Sequence, residues 1–232
     1  MRLSEECDKG SSRILKHKSV AHVTNPLNYA WDYHEQFLEK WSGFGAKTLL
    51  LGMNPGPYGM AQTGVPFGAT AMARDILQIE ERPVPTPDGA HPKRPIEGLS
   101  MERQEVSGTR FWSMLSDHYG STEAIFSNIF VVNHCPLLIL AETGRNVTPV
   151  DLPKSVIEPV LKACDRHLQS VVDIMGIESV IGVGNYARKR AQSVLNSVDI
   201  DAMWHPSPAS PLANRNGGAD WRANAISKIP KP

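Results

Sequence analysis

Four strand-length runs rich in aliphatic residues, each broken by turn-forming or polar residues, constrain this chain more than any other feature. They cover residues 47–53 (KTLLLGM), 124–132 (AIFSNIFVV), 179–183 (SVIGV) and 198–204 (VDIDAMW). Segments with helical spacing separate them. Leu27, Ala30, Trp31, His34, Phe37, Leu38 and Trp41 precede the first run; Val156, Val160, Leu161, Cys164, Leu168, Val171 and Met175 lie between the second and third. Strands that alternate with helices and carry near-continuous apolar cores predict an α/β fold, its parallel sheet covered on both faces.

Local signals place the other elements. Asn25-Pro26 reads as an N-cap followed by proline at the first helical position, and Gly43 closes that helix. Residues 69–79 read as a helix, as does the segment after Ser107, which carries Phe111, Trp112, Met114 and Leu115. Helices are also expected over 155–175, after Gly184-Asn185, and over 219–229. Residues 80–106 hold five prolines and many charges, so a long surface excursion is expected there. Residues 1–24 are polar without a clear period and are expected to form a loose arm. That leaves residues 25–232 as a single domain, in keeping with roughly 150 residues per domain.

Charge and cysteine content exclude several classes. Lys plus Arg and Asp plus Glu are 24 each, so the chain is no histone-like polycation and no acidic disordered tail. Its last 51 residues (182–232) are nonetheless basic. They hold Arg188, Lys189, Arg190, Arg215, Arg222, Lys228 and Lys231 against Asp199, Asp201 and Asp220, and such a face suits a phosphate backbone. Cys7, Cys135 and Cys164 lack zinc or redox spacing, and Cys164 falls on an apolar helical stripe as a core residue. The N-terminus has no secretory h-region and no apolar stretch reaches membrane-spanning length, so neither signal peptide nor membrane contact is expected.

In an open parallel sheet, ligands bind beyond the carboxyl ends of the strands. The residues just past the four runs are Asn54, Asn133, Gly184-Asn185 and His205. No Asp or Glu stands at any of these ends, which removes the carboxylate pair of ordinary glycoside hydrolysis. One His and two Asn make a weak metal set. Carboxamides can read a base edge, since each offers donors and an acceptor, and they can orient a water. They are very weak bases, so the substrate needs a leaving group that departs largely unaided. Read singly, each feature has a plainer account. Asn-Pro-Gly-Pro after Met53 and His-Pro-Ser-Pro at 205–208 are both strong turn chemistry. Asn133 alone fits a hydrogen-bonded loop. Gly182-Val183-Gly184 is only a partial dinucleotide fingerprint, although the helix N-terminus behind it suits a phosphate.

The motifs also resemble a known family. GMNPGPYGMAQTGVPFG (52–68) closely resembles the first motif of the single-strand-selective monofunctional uracil-DNA glycosylases, and HPSPASPLANR (205–215) resembles their second. HPKRP (91–95), VSGTRFW (106–112), VVNHCPLL (131–138) and GRNVTP (144–149) lie between them in the family's order. The resemblance implies a three-layer α/β/α domain with a central four-stranded parallel sheet, the uracil-DNA glycosylase fold. It implies a base-flipping enzyme that hydrolyses the N-glycosidic bond of uracil, and of 5-hydroxymethyluracil, in single- and double-stranded DNA.

By the same resemblance, Asn54 positions the attacking water and His205 donates a hydrogen bond to O2 of the leaving uracil. Asn133 pairs with the base edge, Phe67 stacks on the ring, and Met53, Gly56 and Pro57 wall the C5 side. Gly56, having no side chain, is expected to leave that side open. Gly184, Asn185, Pro206, Ser207, Pro208, Leu212 and Arg215 are expected to contact DNA. The family's vertebrate members have Arg-Asn where this chain has Ala209-Ser210, so Leu212 becomes the expected duplex wedge. Val132 replaces an expected His and Tyr58 a Phe. No lysine falls within the pocket motifs, so no Schiff-base lyase step is expected. No metal or cofactor is expected, and the protein is expected to be a monomer of the bacterial cytoplasm or, in a eukaryote, of the nucleus. Two other readings stay open: a glycosylase preferring another deaminated base, and a non-catalytic module that binds damaged DNA.

Overall fold

A computed structural model describes residues 2–232. In chain order it has α1 (Arg2–Leu15), β1 (His22–Thr24), α2 (Pro26–Tyr29), α3 (Trp31–Trp41), β2 (Thr48–Gly52), α4 (Met60–Thr63) and α5 (Thr70–Asp75). Then come α6 (Val106–Tyr119), α7 (Thr122–Asn128), β3 (Ile129–Asn133), β4 (Leu138–Leu140), α8 (Lys154–Met175) and β5 (Ser179–Val183). The chain closes with α9 (Asn185–Val194), β6 (Asp199–Met203), α10 (Pro211–Asn214) and α11 (Ala219–Ile226).

The four expected strands form one parallel sheet in the order β3-β2-β5-β6. Leu49, Leu50 and Leu51 of β2 are all fully buried, so both faces of the sheet are covered. This is why the run shows no alternation of polar and apolar residues. Tyr33, Phe37 and Trp41 of α3, Phe111 and Trp112 of α6, and Leu168 and Val172 of α8 belong to the same core. The Asn25 side chain caps α2 by accepting from the Leu27 N–H, with Pro26 at the first helical position.

Several boundaries differ from expectation. Residues 124–128 belong to α7, and the strand begins only at Ile129. Ser121 caps that helix by accepting from the Ala124 N–H. An apolar run alone cannot separate the end of a buried helix from the start of a buried strand. Ser107 lies inside α6, whose N-cap is Glu105. The excursion over 80–106 returns to the protein, burying Ile96, Leu99 and Met101, and the Tyr33 hydroxyl donates to Arg82 O at 2.6 Å.

The loose arm is not what the structure contains. Residues 2–15 form α1, which packs on α8 and buries Cys7 and Ile14 completely. Gly10 lies so close to Val160 of α8 that a Cβ would collide with it. The stripe is Leu3, Cys7, Gly10 and Ile14, one small or apolar residue per turn in an otherwise polar helix. Residues 22–24 then pair antiparallel with β4, His22 opposite Leu140. Cys7, Cys135 and Cys164 are all free and are buried in one apolar cluster. Among the described residues no helix is long and apolar enough to cross a membrane, and no group of three or more His, Cys, Asp or Glu is placed to hold a metal.

Candidate active site

The strand register builds the site. Gly52, the last residue of β2, lies opposite Asn133, the last of β3. The pairing continues past the strand ends, with His134 N–H donating to Gly52 O at 3.0 Å and Cys135 N–H to Met53 O at 2.9 Å. Asn54 and Asn133 thus leave the sheet side by side. His205 follows β6 by two residues, and Gly184, with φ +95°, packs against its side chain. A cleft of about 560 Å³ opens here, lined by Met53, Asn54, Gly56, Pro57, Phe67, Asn133, His205 and Ser207. All seven residues expected to touch substrate or water therefore meet in one place.

Each side chain is held for a physical reason. The Ser207 N–H donates to His205 Nδ1 at 3.0 Å, so Nδ1 is an acceptor and the ring proton sits on Nε2. Burial lowers the imidazole pKa to about 4, so His205 is neutral at physiological pH. The Ser207 hydroxyl accepts from the Ala209 N–H, which commits it to the turn. The Asn133 Nδ2 contacts Met60 Sδ at 3.1 Å, while its Oδ1 is buried without a partner. A buried amide oxygen left unpaired costs about 1–3 kcal/mol unless a ligand supplies the donor. Gly52 makes room for it, since a Cβ there would collide with Asn133 Oδ1 and crowd Phe67.

Phe67 adopts φ +54°, a conformation that bulky residues seldom take outside functional sites. Its ring stacks on Phe111 at 4.3 Å between centroids and lies 6.1 Å from the His205 ring. Gly108 allows this, because a Cβ there would collide with Phe67 O. The VSGTRFW segment therefore supports the site from below. Arg110, from the same segment, donates to Pro206 O at 3.1 Å, Ala213 O at 3.3 Å and Asn214 Oδ1 at 3.2 Å, bracing the loop after His205.

The structure adds a residue that the strand-end rule could not reach. Glu105 also lines the cleft, with its Oε2 buried and unpartnered. Burial raises its pKa to about 7, against the opposing pull of the Tyr58 backbone N–H. The expected open space over Gly56 is occupied by this carboxyl group: a Cβ on Gly56 or Gly59 would collide with it. The sequence signal was the Gly56-x-x-Gly59 pair, which marks a close approach without naming the visitor. Asn146 lines the cleft as well.

The DNA-contact candidates divide. Gly184, Asn185 and Leu212 line a second groove that meets the cleft at His205, together with Arg188, whose Nε is buried and unpartnered. Leu212 is exposed on α10. Pro206 is buried, its carbonyl held by Arg110, and Pro208 O accepts from Asn214 Nδ2 at 2.7 Å. Arg215 is ion-paired with Asp220 at 3.3 Å. Arg190, Arg222 and Lys228 are likewise paired, with Asp165, Asp117 and Asp201. The basic excess of the last segment is thus largely neutralised, leaving Arg188, Lys189 and Lys231 without an ion pair among the described residues.

Comparison with known proteins gives a consistent picture. The family model for the uracil DNA glycosylase superfamily matches residues 40–225. The single-strand selective monofunctional uracil DNA glycosylase of Bos taurus is 44% identical over 90% of this chain and 77% of its own length. The Mus musculus protein of the same name is 42% identical over 94% and 78%. The crystal structure of wild-type Pedobacter heparinus SMUG2 superposes with a TM-score of 0.65 over 98% of this chain and 96% of that one. At 17% identity that likeness is one of fold.

Proposed function

The chain belongs to the uracil DNA glycosylase superfamily, and we propose that Asn54, Asn133 and His205 carry its reaction. That reaction is excision of uracil from DNA by hydrolysis of the N-glycosidic bond, a step of base excision repair, and the enzyme is monofunctional. The observation that carries the residue assignment is the meeting of a neutral imidazole, the Asn54 and Asn133 carboxamides and a strained phenylalanine in one cleft with only one carboxyl group.

The target nucleotide leaves the stack and enters the cleft. Phe67 stacks on the base. Asn133 Oδ1 accepts from N3–H and its Nδ2 donates to O4; cytosine presents the opposite pattern at both atoms and leaves the buried amide unpaired. As the glycosidic bond breaks, negative charge collects on the base and positive charge on the sugar. The Nε2–H of His205 donates to O2 of the departing anion, a donor aimed at developing charge. A neutral imidazole serves here because it stabilises the anion without having to lose its own proton. Asn54 holds the water that captures the sugar cation. No lysine lines the cleft, in keeping with hydrolysis that leaves an intact abasic site.

Met53, Gly56, Pro57 and the Glu105 carboxyl group form the C5 wall. A polar group there favours an oxidised C5 substituent such as hydroxymethyl over the thymine methyl. The groove holding Gly184, Asn185 and Arg188 receives a backbone phosphate at the amino end of α9. Leu212 wedges into the duplex where the base has left. The test is one labelled oligonucleotide with a single uracil, single-stranded and then paired, in EDTA. Strand breakage only after hot alkali is expected. Bound but unbroken DNA would turn the reading toward a damage-binding module or an enzyme for another deaminated base.

A further inference from the structure

Two motifs, HPKRP and GRNVTP, take no part in the chemistry above, yet the fold brings both to Asn54. The link begins at Pro55, whose carbonyl can only accept. Asn146 Nδ2 donates to Pro55 O at 2.9 Å, which fixes the orientation of the Asn146 amide. Asn146 Oδ1 is thereby turned toward Asn54 and accepts from its Nδ2 at 3.3 Å. Asn54 Nδ2 also donates to Pro55 O at 3.2 Å. Both amide protons of Asn54 are engaged, so its Oδ1 is the atom left to the cleft. The flipped amide would set Asn54 Oδ1 against two other acceptors.

The loop that carries Asn146 is itself clamped. Gly144 turns it with φ +79°, and Ala141 N–H donates to Arg145 O at 2.9 Å. His91 Nε2 donates to Glu142 O at 3.0 Å, its Nδ1 being taken by the Lys93 N–H at 2.9 Å. Arg94 Nε donates to Gly144 O at 3.0 Å, and its other arm donates to the Tyr58 hydroxyl at 2.8 Å. Tyr58 belongs to the same turn as Asn54, so the clamp closes on itself.

We propose that Asn146, held by His91 and Arg94, is a positioning residue that sets the orientation of the Asn54 amide and so presents its oxygen to the attacking water. This rests on the reading of Asn54 as the residue that holds the water. It acts through Asn54, which separates it from a residue that merely supports the fold.

The experiment is a double-mutant cycle in single-turnover uracil release, with DNA affinity and thermal melting measured in parallel. Asn146→Ala is expected to slow release by about 10–100-fold with affinity for uracil-containing DNA within about 3-fold, the scale of a misoriented reacting group. The Asn54→Ala/Asn146→Ala double variant is expected to be no slower than Asn54→Ala alone. Asn146→Asp keeps the acceptor facing Asn54 and is expected to recover about tenfold over Asn146→Ala. If the alanine variant does not fold, Asn146→Asp carries the test: release as slow as in Asn54→Ala overturns the proposal. Losses that add in the double variant overturn it too, as does wild-type release by Asn146→Ala. A wild-type rate in Asn54→Ala, by contrast, removes the reading of Asn54 beneath it.

Discussion

His205 and Glu105 face one cleft with pKa values displaced in opposite directions by the same cause. Burial disfavours the charged form of each, so it lowers the imidazole to about 4 and raises the carboxyl to about 7. The result is an imidazole that is neutral at pH 7 beside a carboxyl group that is about half protonated there, so the site carries less charge than the two groups would in water. For His205, whose ordinary value is 6.5, no protonation step remains between pH 7 and pH 5. His205 is therefore expected to contribute no acidic limb near 6.5 to the single-turnover rate, and such a limb, abolished in His205→Ala, would contradict the neutral donor. Glu105 is linked to stability with a defined sign. Its folded pKa lies above its ordinary 4.5, so its contribution is full below that value and is lost as pH rises through about 7. Glu105→Gln, which cannot ionise, is expected to stabilise the protein by about 2–3 kcal/mol more at pH 8 than at pH 5. Urea denaturation at the two pH values measures this, and an equal effect at both would show that the carboxyl group is solvated.

At the scale of elements, the strand ends and the loops beyond them divide the labour. Strand ends deliver Asn54, Asn133 and His205; loops decide how firmly they are held. The first half was legible in the sequence because buried parallel strands write themselves as apolar runs with abrupt ends, as at residues 47–53 and 179–183. The second half was not. Glu105, Asn146 and Arg110 come from a helix start, a long loop and a helix interior, and nothing local marks a side chain that reaches a site formed elsewhere. The same limit hid α1, a helix that is polar on average and whose thin stripe of Leu3, Cys7, Gly10 and Ile14 becomes a buried face only against partners such as Val160. The loop after His205 offers a direct test of its own role. Arg110 braces it from Pro206 to Asn214, while Leu212 projects from it exposed. Leu212→Ala is expected to slow uracil release from duplex more than from single-stranded DNA, by about tenfold if the side chain fills the vacated stack. Equal effects on both substrates would argue against a wedge.

Over the whole molecule, a net charge of zero and a basic segment with four of its seven cations ion-paired to acids elsewhere in the segment or on neighbouring elements leave little long-range attraction for DNA. On the reading proposed above, recognition rests on the cleft and on Arg188 in the groove that adjoins it. This places the weight of the account on its polar constellation rather than on electrostatic capture. The fold serves that constellation economically: one parallel sheet, buried on both faces, holds three residues separated by up to about 150 positions at a single rim. The most direct measurement is single-turnover release of uracil from one labelled oligonucleotide by the wild-type protein, Asn54→Ala and His205→Ala, each shown to be folded and to bind the DNA. Release by the wild type, with both variants slowed by about 10²–10⁴-fold at little change in affinity, is the expected result. Release at near wild-type rates by both variants would contradict it, because the bond would then be broken by groups other than these.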